Sequence, residues 1–294
     1  MDSFTASIGK PSLQYLPPSF AQDCQVAVLR LDNLHPHING NKWFKLKYNL
    51  LQAKAEGKTT LLTFGGAYSN HLRATAVAGH YFGFHTIGFV RGEPSQNPAL
   101  HFIKQMGMQL HYLNRSTYRQ IHQCNDLRSW LENLFPGENF DNCYILPEGG
   151  SNPLAVKGCA QIWRHVPTWF DYALCACGTG ATLAGLAAGN PSCYALGISV
   201  LKGGFMDTVV SHLLDQSHFP QVNNWKVIDE YHFGGYAKSK PELVQFIANF
   251  IESYSIPLEP VYTGKLFFAA FDLLQKGFFP KGSKILILHT GGVY

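Results

Sequence analysis

Residues 172–188 read YALCACGTGATLAGLAA: six residues of strand composition, a turn built from Gly, Thr and Ala, and then an apolar helix. A strand that empties through glycines into a helix is the repeating joint of a parallel sheet covered by helices. Outward from this joint the same step recurs. Strand-like runs lie at Val26–Leu31, Thr60–Phe64, Thr86–Val90, Gln109–Leu113, Cys143–Leu146, Tyr194–Val200, Trp225–Ile228 and Lys284–Leu288, many of them followed by glycine. Between them run amphipathic helices, such as Asn41–Ala55, where Trp43, Leu46, Leu50 and Ala53 recur at three- and four-residue spacing, and Gly264–Gln275. The expected fold class is therefore α/β, with parallel sheets and helices on both faces.

At 294 residues the chain can bury one large domain or two modest ones. It has no internal repeat, low-complexity tract or long linker, so a second domain would have to form by the chain crossing over and returning. Apolar residues make up 46% and charged residues 14%, and no apolar stretch approaches the roughly 18 residues of a membrane span. The opening, MDSFTASIGKPSLQYLPP, lacks a basic region followed by an apolar block, so no secretory leader is expected and the expected location is the cytoplasm. Seven cysteines without CxxC spacing argue against a disulfide framework and a zinc site. A net charge of +4, with Lys and Arg dispersed, makes no nucleic-acid footprint.

Five segments carry residue types unusual for plain structure, and all but one sit at expected strand ends, where open α/β sheets bind ligands. They are GNKWFK (40–45), GGAYSNH (65–71), PEGGSN (147–152), CGTGATLAG (177–185) and PVYTGK (260–265). In the fourth, Gly178 and Gly180 let backbone amides approach an anion, Thr179 and Thr182 add hydroxyl donors, and the helix dipole supplies partial positive charge. The next glycine is Gly185, which breaks the G-x-G-x-x-G spacing, and a P-loop lysine is missing, so a dinucleotide or nucleoside triphosphate is disfavoured. A plain glycine-rich turn is the alternative. In the second segment, Ser69 or Asn70 suits a helix N-cap; alternatively, exposed amides with Ser69 bind a carboxylate and Asn70 a ring oxygen. Lys42 opens a helix, where the dipole disfavours a cation and lowers its pKa. A partly neutral lysine is what Schiff-base chemistry needs, and a solvated surface lysine is the alternative.

Together and in this order, GNK, GGxxSN, GGSN, the TGxT loop, PVYxGK and the H-T-G-G at 289–292 resemble the 1-aminocyclopropane-1-carboxylate deaminase and D-cysteine desulfhydrase family of pyridoxal-phosphate enzymes, over Asn39 to Gly292. The resemblance implies the tryptophan-synthase-β-like fold (fold type II), with two open twisted sheets flanked by helices. It implies a larger cofactor-binding domain from 1–44 and 150–294, a smaller mobile domain from 45–149 that closes over substrate, and a homodimer. It assigns Lys42 to the Schiff-base link with pyridoxal 5'-phosphate and Lys45, one turn later, to the phosphate. Gly178, Thr179, Gly180, Ala181 and Thr182 would also hold the phosphate, and Asn70 the phenolic oxygen. Ser69 and its neighbouring amides would receive the carboxylate of a small amino-acid substrate, which Tyr236 and Tyr262 would face. Cys175 and Cys177 read as strand-core residues.

Two positions near the cofactor's pyridine nitrogen separate the branches of the family. The deaminases resemble Glu after the PVY tyrosine and an apolar residue in H-x-G-G; here these are Thr263 and Thr290, the desulfhydrase pattern, and His71 looks desulfhydrase-like as well. A carboxylate would keep the nitrogen protonated and strengthen the electron sink, as ring opening of a cyclopropane demands, whereas β-elimination from cysteine needs less. Tyr68 departs from the Gln usual in both branches, and the family's pattern continues beyond Tyr294. The expected activity is D-cysteine desulfhydrase-like β-elimination to pyruvate, ammonia and sulfide, by a carbon–sulfur lyase. The alternatives are a 1-aminocyclopropane-1-carboxylate deaminase, a hydrolase releasing 2-oxobutyrate and ammonia, and, from another class, a non-catalytic protein that binds pyridoxal phosphate or a nucleotide.

Overall fold

A computed structural model describes residues 8–38, 40–95, 97–124, 126–219 and 222–292. The first seven residues of the opening read above, and Asn39 at the edge of the resemblance, lie outside them. In chain order the elements are β1 (Ser12–Tyr15), α1 (Pro18–Ala21), β2 (Gln25–Arg30), α2 (Asn41–Ala55), β3 (Thr60–Gly66), α3 (Asn70–Phe82), β4 (His85–Arg91), α4 (Pro98–Gln105), β5 (Met108–Leu113), α5 (Arg115–Gln120), α6 (Leu127–Leu134), β6 (Cys143–Leu146), α7 (Pro153–Ala160), β7 (Tyr172–Cys177), α8 (Ala181–Gly189), β8 (Tyr194–Ser199), α9 (Met206–Gln216), β9 (Trp225–Ile228), α10 (Pro241–Tyr254), α11 (Thr263–Gln275) and β10 (Lys284–His289).

The chain forms two compact units, a smaller one on Asn49–Gly150 and a larger one on Thr5–Tyr48 with Ser151–Tyr294. The first division thus falls inside α2. The larger unit holds a six-stranded sheet in the order β1-β2-β10-β7-β8-β9. β10, the last strand, pairs in parallel with β2, so this sheet joins segments from both ends of the chain. The smaller unit holds a four-stranded parallel sheet in the order β5-β4-β3-β6.

Successive side chains of a strand point to opposite faces, and here both faces of the larger sheet are apolar. Ala27, Leu29, Ala173, Cys175, Cys177, Leu286 and Leu288 belong to one buried cluster. Val26, Val28, Leu174, Ala176, Ile285 and Ile287 belong to another. This is why the strands read as continuous apolar runs rather than alternating ones. In the smaller unit, Leu62, Phe64 and Phe89 pack in one cluster, and Leu72, Ala76 and Val90 in a second. Burial of a side chain of this size is worth about 1.5–3 kcal/mol.

The α/β class expected from the alternation is the class observed, with two differences. β1 is an antiparallel edge strand, Ser12 opposite Arg30, that four residues of mixed polarity did not announce. Among the five marked segments, those of Gly65–His71, Pro147–Asn152 and Cys177–Gly185 adjoin strand ends; GNKWFK and PVYTGK instead lead into helices α2 and α11.

Candidate active site

The turn before α2 depends on Gly40. Its φ is +65°, a left-handed conformation that favours glycine, and a Cβ there would fall 1.8 Å from the carbonyl oxygen of Thr290. Glycine at this close approach lets the chain turn directly into Asn41 and Lys42. Asn41 is buried and its Nδ2 donates to Thr182 Oγ1 at 2.8 Å. The same side chain accepts from Lys42 Nζ through its Oδ1, also at 2.8 Å. One amide therefore ties the lysine to the first turn of α8. Lys42 is half-buried. Burial first, then the charge of Lys45, brings its pKa down to about 7, against an opposing pull from Cys159 and Glu259.

Lys45 lies one turn further along α2, 3% exposed, and burial lowers its pKa as well. Its Nζ donates to Ser151 Oγ at 3.0 Å and to Thr179 Oγ1 at 3.1 Å, and these two hydroxyls are hydrogen-bonded to each other at 2.5 Å. Gly180, with φ +80°, ends the turn after β7 and starts α8 without any side-chain cap. The first amide of α8, Ala181 N–H, turns back to Thr179 O at 3.0 Å, and the positive end of the helix dipole faces the turn. An ammonium, two hydroxyls and a helix N-terminus form a set suited to a phosphate dianion. These residues fit pyridoxal phosphate: Lys45, Ser151, Thr179 and the N-terminus of α8 would hold its phosphate, and Lys42, near neutrality, suits attack on its aldehyde.

Gly178 lies beneath an aromatic ring, since a Cβ there would sit 3.1 Å from Tyr262 Cε1. The rings of Tyr262 and Tyr236 meet edge-on, with centroids 6.0 Å apart and planes at 69°. The two tyrosines singled out in the sequence are therefore neighbours beside the glycine turn. Thr263 is fully buried, and its hydroxyl is engaged within its own turn: it accepts from Glu259 N–H at 3.0 Å and donates to Glu259 Oε1 at 3.1 Å. The Glu259 carboxylate also accepts from the N–H groups of Val261 at 2.6 Å, Tyr262 at 2.9 Å and Thr263 at 2.6 Å. It acts as a built-in anion for the N-terminus of α11.

Thr290 follows β10 and is 9% exposed. The residue before it, His289, is fully buried, with Nε2 donating to Pro257 O at 2.6 Å and Nδ1 lying 3.2 Å from Asp32 Oδ1. Asp32 is gripped by Arg30 through Nε at 2.9 Å and Nη2 at 2.7 Å. This polar chain anchors the strand end that presents Thr290. Cys175 and Cys177 are buried strand residues, and burial pushes the Cys177 thiol up to about 12, so it stays protonated at neutral pH.

Ser69 and Asn70 belong to the smaller unit. Ser69 takes the capping role that the sequence offered, its Oγ accepting from Leu72 N–H at 3.3 Å, and Asn70 is the first residue of α3. His71 is buried, with Nε2 2.8 Å from Thr63 Oγ1. Because the Thr63 hydroxyl donates to Leu146 O at 3.0 Å, the imidazole proton is assigned to Nε2. Tyr68 is 71% exposed.

Sequence reasoning passed over Asn41 as a bridge, Ser151 beside Lys45, and Glu259. Ser151 stood within the marked PEGGSN segment, and a hydroxyl after paired glycines was the available signal. Among the described residues no group of His, Cys, Asp and Glu is placed to hold a metal, and no helix is long and apolar enough to cross a membrane.

A sequence model described as pyridoxal-phosphate dependent enzyme matches residues 5–291. A Pyrococcus furiosus protein provisionally named 1-aminocyclopropane-1-carboxylate deaminase is 31% identical, over 96% of this chain and 89% of its own. The bifunctional D-cysteine desulfhydrase/1-aminocyclopropane-1-carboxylate deaminase of Arabidopsis thaliana mitochondria is 28% identical, over 96% of this chain and 78% of its own. Among solved structures, a 1-aminocyclopropane-1-carboxylate deaminase homologue superposes with a TM-score of 0.83 at 28% identity, covering 97% of this chain and 90% of that one. A hydrogen sulfide-producing enzyme from Fusobacterium nucleatum shares the fold, with a TM-score of 0.71 at 15% identity over 99% of this chain and 98% of its own.

Proposed function

Because this chain belongs to the pyridoxal-phosphate dependent enzyme family, we propose that it is a lyase that eliminates the β-substituent of a small D-amino acid, with D-cysteine as the reference substrate. The net reaction takes cysteine and water to pyruvate, ammonia and hydrogen sulfide. Pyridoxal phosphate, when bound, supplies an aldehyde for covalent attachment and a conjugated ring that accepts the electrons of the broken Cα–H bond. Lys42 is the residue for attachment, and its Nζ then serves as the base that takes the Cα proton, a role suited to a pKa near 7. Loss of that proton lets the Cβ–S bond break, with sulfur leaving with the electron pair. Asn41 holds Lys42 Nζ in place before and after the transfer. Lys45, Ser151 and Thr179 bind the phosphate. Tyr262 and Tyr236 orient the substrate, Ser69 receives its carboxylate, and Asn70 the phenolic oxygen.

The observation that carries elimination over ring opening is the type of the two buried residues at the discriminating positions, Thr263 in place of a carboxylate and Thr290 in place of an apolar residue. Glu259, the carboxylate beside Thr263, is itself taken up by three amides and the Thr263 hydroxyl. A site of this character favours a neutral pyridine nitrogen and a modest electron sink. Ring opening of 1-aminocyclopropane-1-carboxylate is the second reading, favoured by the names of the relatives above. Release of 2-oxo acid by the cofactor-loaded protein is to be assayed side by side from D-cysteine, L-cysteine and 1-aminocyclopropane-1-carboxylate. Pyruvate with sulfide from D-cysteine is the expected result; 2-oxobutyrate from the cyclopropane at a comparable kcat/KM would overturn the preference.

A further inference from the structure

Lys265, in the first turn of α11, is 0% exposed, one of the largest fully buried side chains among the described residues. Nothing in the proposed chemistry uses it. An ammonium is expensive to bury, and the cost is visible as a pKa lowered to about 8 by burial, against the pull of Glu259. Its Nζ donates to two backbone carbonyls, His232 O at 2.9 Å and Gly235 O at 2.8 Å. Both carbonyls already close turns of their own: His232 O accepts from Gly235 N–H at 3.0 Å, and Gly235 O from Lys238 N–H at 3.1 Å. The ammonium therefore fastens two consecutive turns to α11.

The fastened segment joins β9 to α10 and has no regular structure. Its backbone is strained at two residues, Phe233 and Ala237, which stand at φ 51° and 54°, while Gly234 and Gly235 between them take 98° and 116° as glycine readily does. Side-chain-bearing residues rarely hold that region, and they do so only where surrounding contacts impose it. Between the second carbonyl and Ala237 stands Tyr236, whose ring meets Tyr262.

We infer that Lys265 is a positioning residue, which fixes the strained 232–237 loop so that Tyr236 is held against Tyr262 for contact with the amino-acid substrate. The inference rests on the proposed function for the role of Tyr236, while the clamp itself does not. A side chain kept only for stability would not be a buried ammonium, since an apolar replacement of similar volume commonly leaves a fold as stable or more so. Here the charge is retained where it orders a substrate-facing loop.

The test uses the cofactor-loaded protein and the variants Lys265→Met, Tyr236→Phe and their combination, with Lys265→Gln as a second variant should Met fail to fold. Two measurements are made: amide hydrogen exchange over residues 229–240, and kcat and KM for D-cysteine. Lys265→Met is expected to speed exchange in this loop by about tenfold or more, with the melting temperature and the lysine-linked cofactor absorbance kept. It is expected to lower kcat/KM by about tenfold, and to add less than about twofold in the Tyr236→Phe background, as coupled residues do. Unchanged exchange overturns the clamp, and losses that multiply fully in the double variant overturn its action through Tyr236. A wild-type protein that turns over none of the amino acids counts against the proposed function, and the exchange result then still upholds or overturns the clamp by itself.

Discussion

Replacing Lys45 with Met should act with opposite consequences in the two states of this protein. Without cofactor, Lys45 is a buried cation whose pKa burial has lowered, and its hydroxyl partners, Ser151 and Thr179, already bond each other at 2.5 Å. Removing the charge strands neither hydroxyl and relieves a desolvation cost, so the apo protein should melt no lower than wild type, and an increase is expected. With cofactor, the same change deletes the cation from the point where Ser151 and Thr179 converge. A hydrogen bond to a charged group is worth about 1.5–3 kcal/mol, so the dissociation constant for pyridoxal phosphate should rise roughly 10- to 100-fold. The assay is a titration of apo protein followed by cofactor absorbance, alongside thermal melts with and without cofactor. An unchanged dissociation constant would refute the phosphate assignment, and a lower apo melting temperature would refute the view that Lys45 is a stability cost.

Other outcomes are expected from the same geometry. Lys42 has a folded pKa of about 7 against an ordinary value of 10.5, so between those values the unfolded chain binds more protons and stability gains with rising pH. Apo Lys42→Met should therefore exceed wild type in stability most below pH 7, with the gap narrowing as pH rises and closing only near the ordinary value of 10.5, as read by denaturant melts at several pH values; a pH-independent gap would count against the shifted lysine. Gly40→Ala forces a Cβ to 1.8 Å from Thr290 O at φ +65°, and should cost about 2 kcal/mol or more, checked by chemical denaturation. Ser69→Ala should cost about 1 kcal/mol through the lost cap, and should also raise KM for the amino acid with cofactor affinity unchanged; an unaltered KM would reduce Ser69 to a cap.

What could be read without coordinates was local in origin. The strands were legible because two-sided burial demands unbroken apolar runs, as in Val26–Leu29 and Ile285–Leu288. The Ser69 cap was legible because its acceptor and donor lie three residues apart. The turn at Gly178–Gly180 was legible because glycine's freedom suits the end of a strand, and Gly180 stands at φ +80°. β1 escaped notice because a four-residue edge strand carries little pattern, and residue type alone did not announce that the Thr263 hydroxyl bonds Glu259 four residues away.

The sequence by itself determined the alternation of strand and helix, the glycine turns and the order of the marked segments, since each depends on residues within a turn or two of one another. Tertiary structure alone decided that Asn41 links Lys42 to Thr182 across 141 positions, that Lys45 meets Ser151 and Thr179 across 106 and 134, and that Lys265 reaches back some 30 residues to hold a loop. No local periodicity encodes such pairs, because what brings them together is the closing of β10 beside β2 and β7, a parallel pairing that only the folded chain can make.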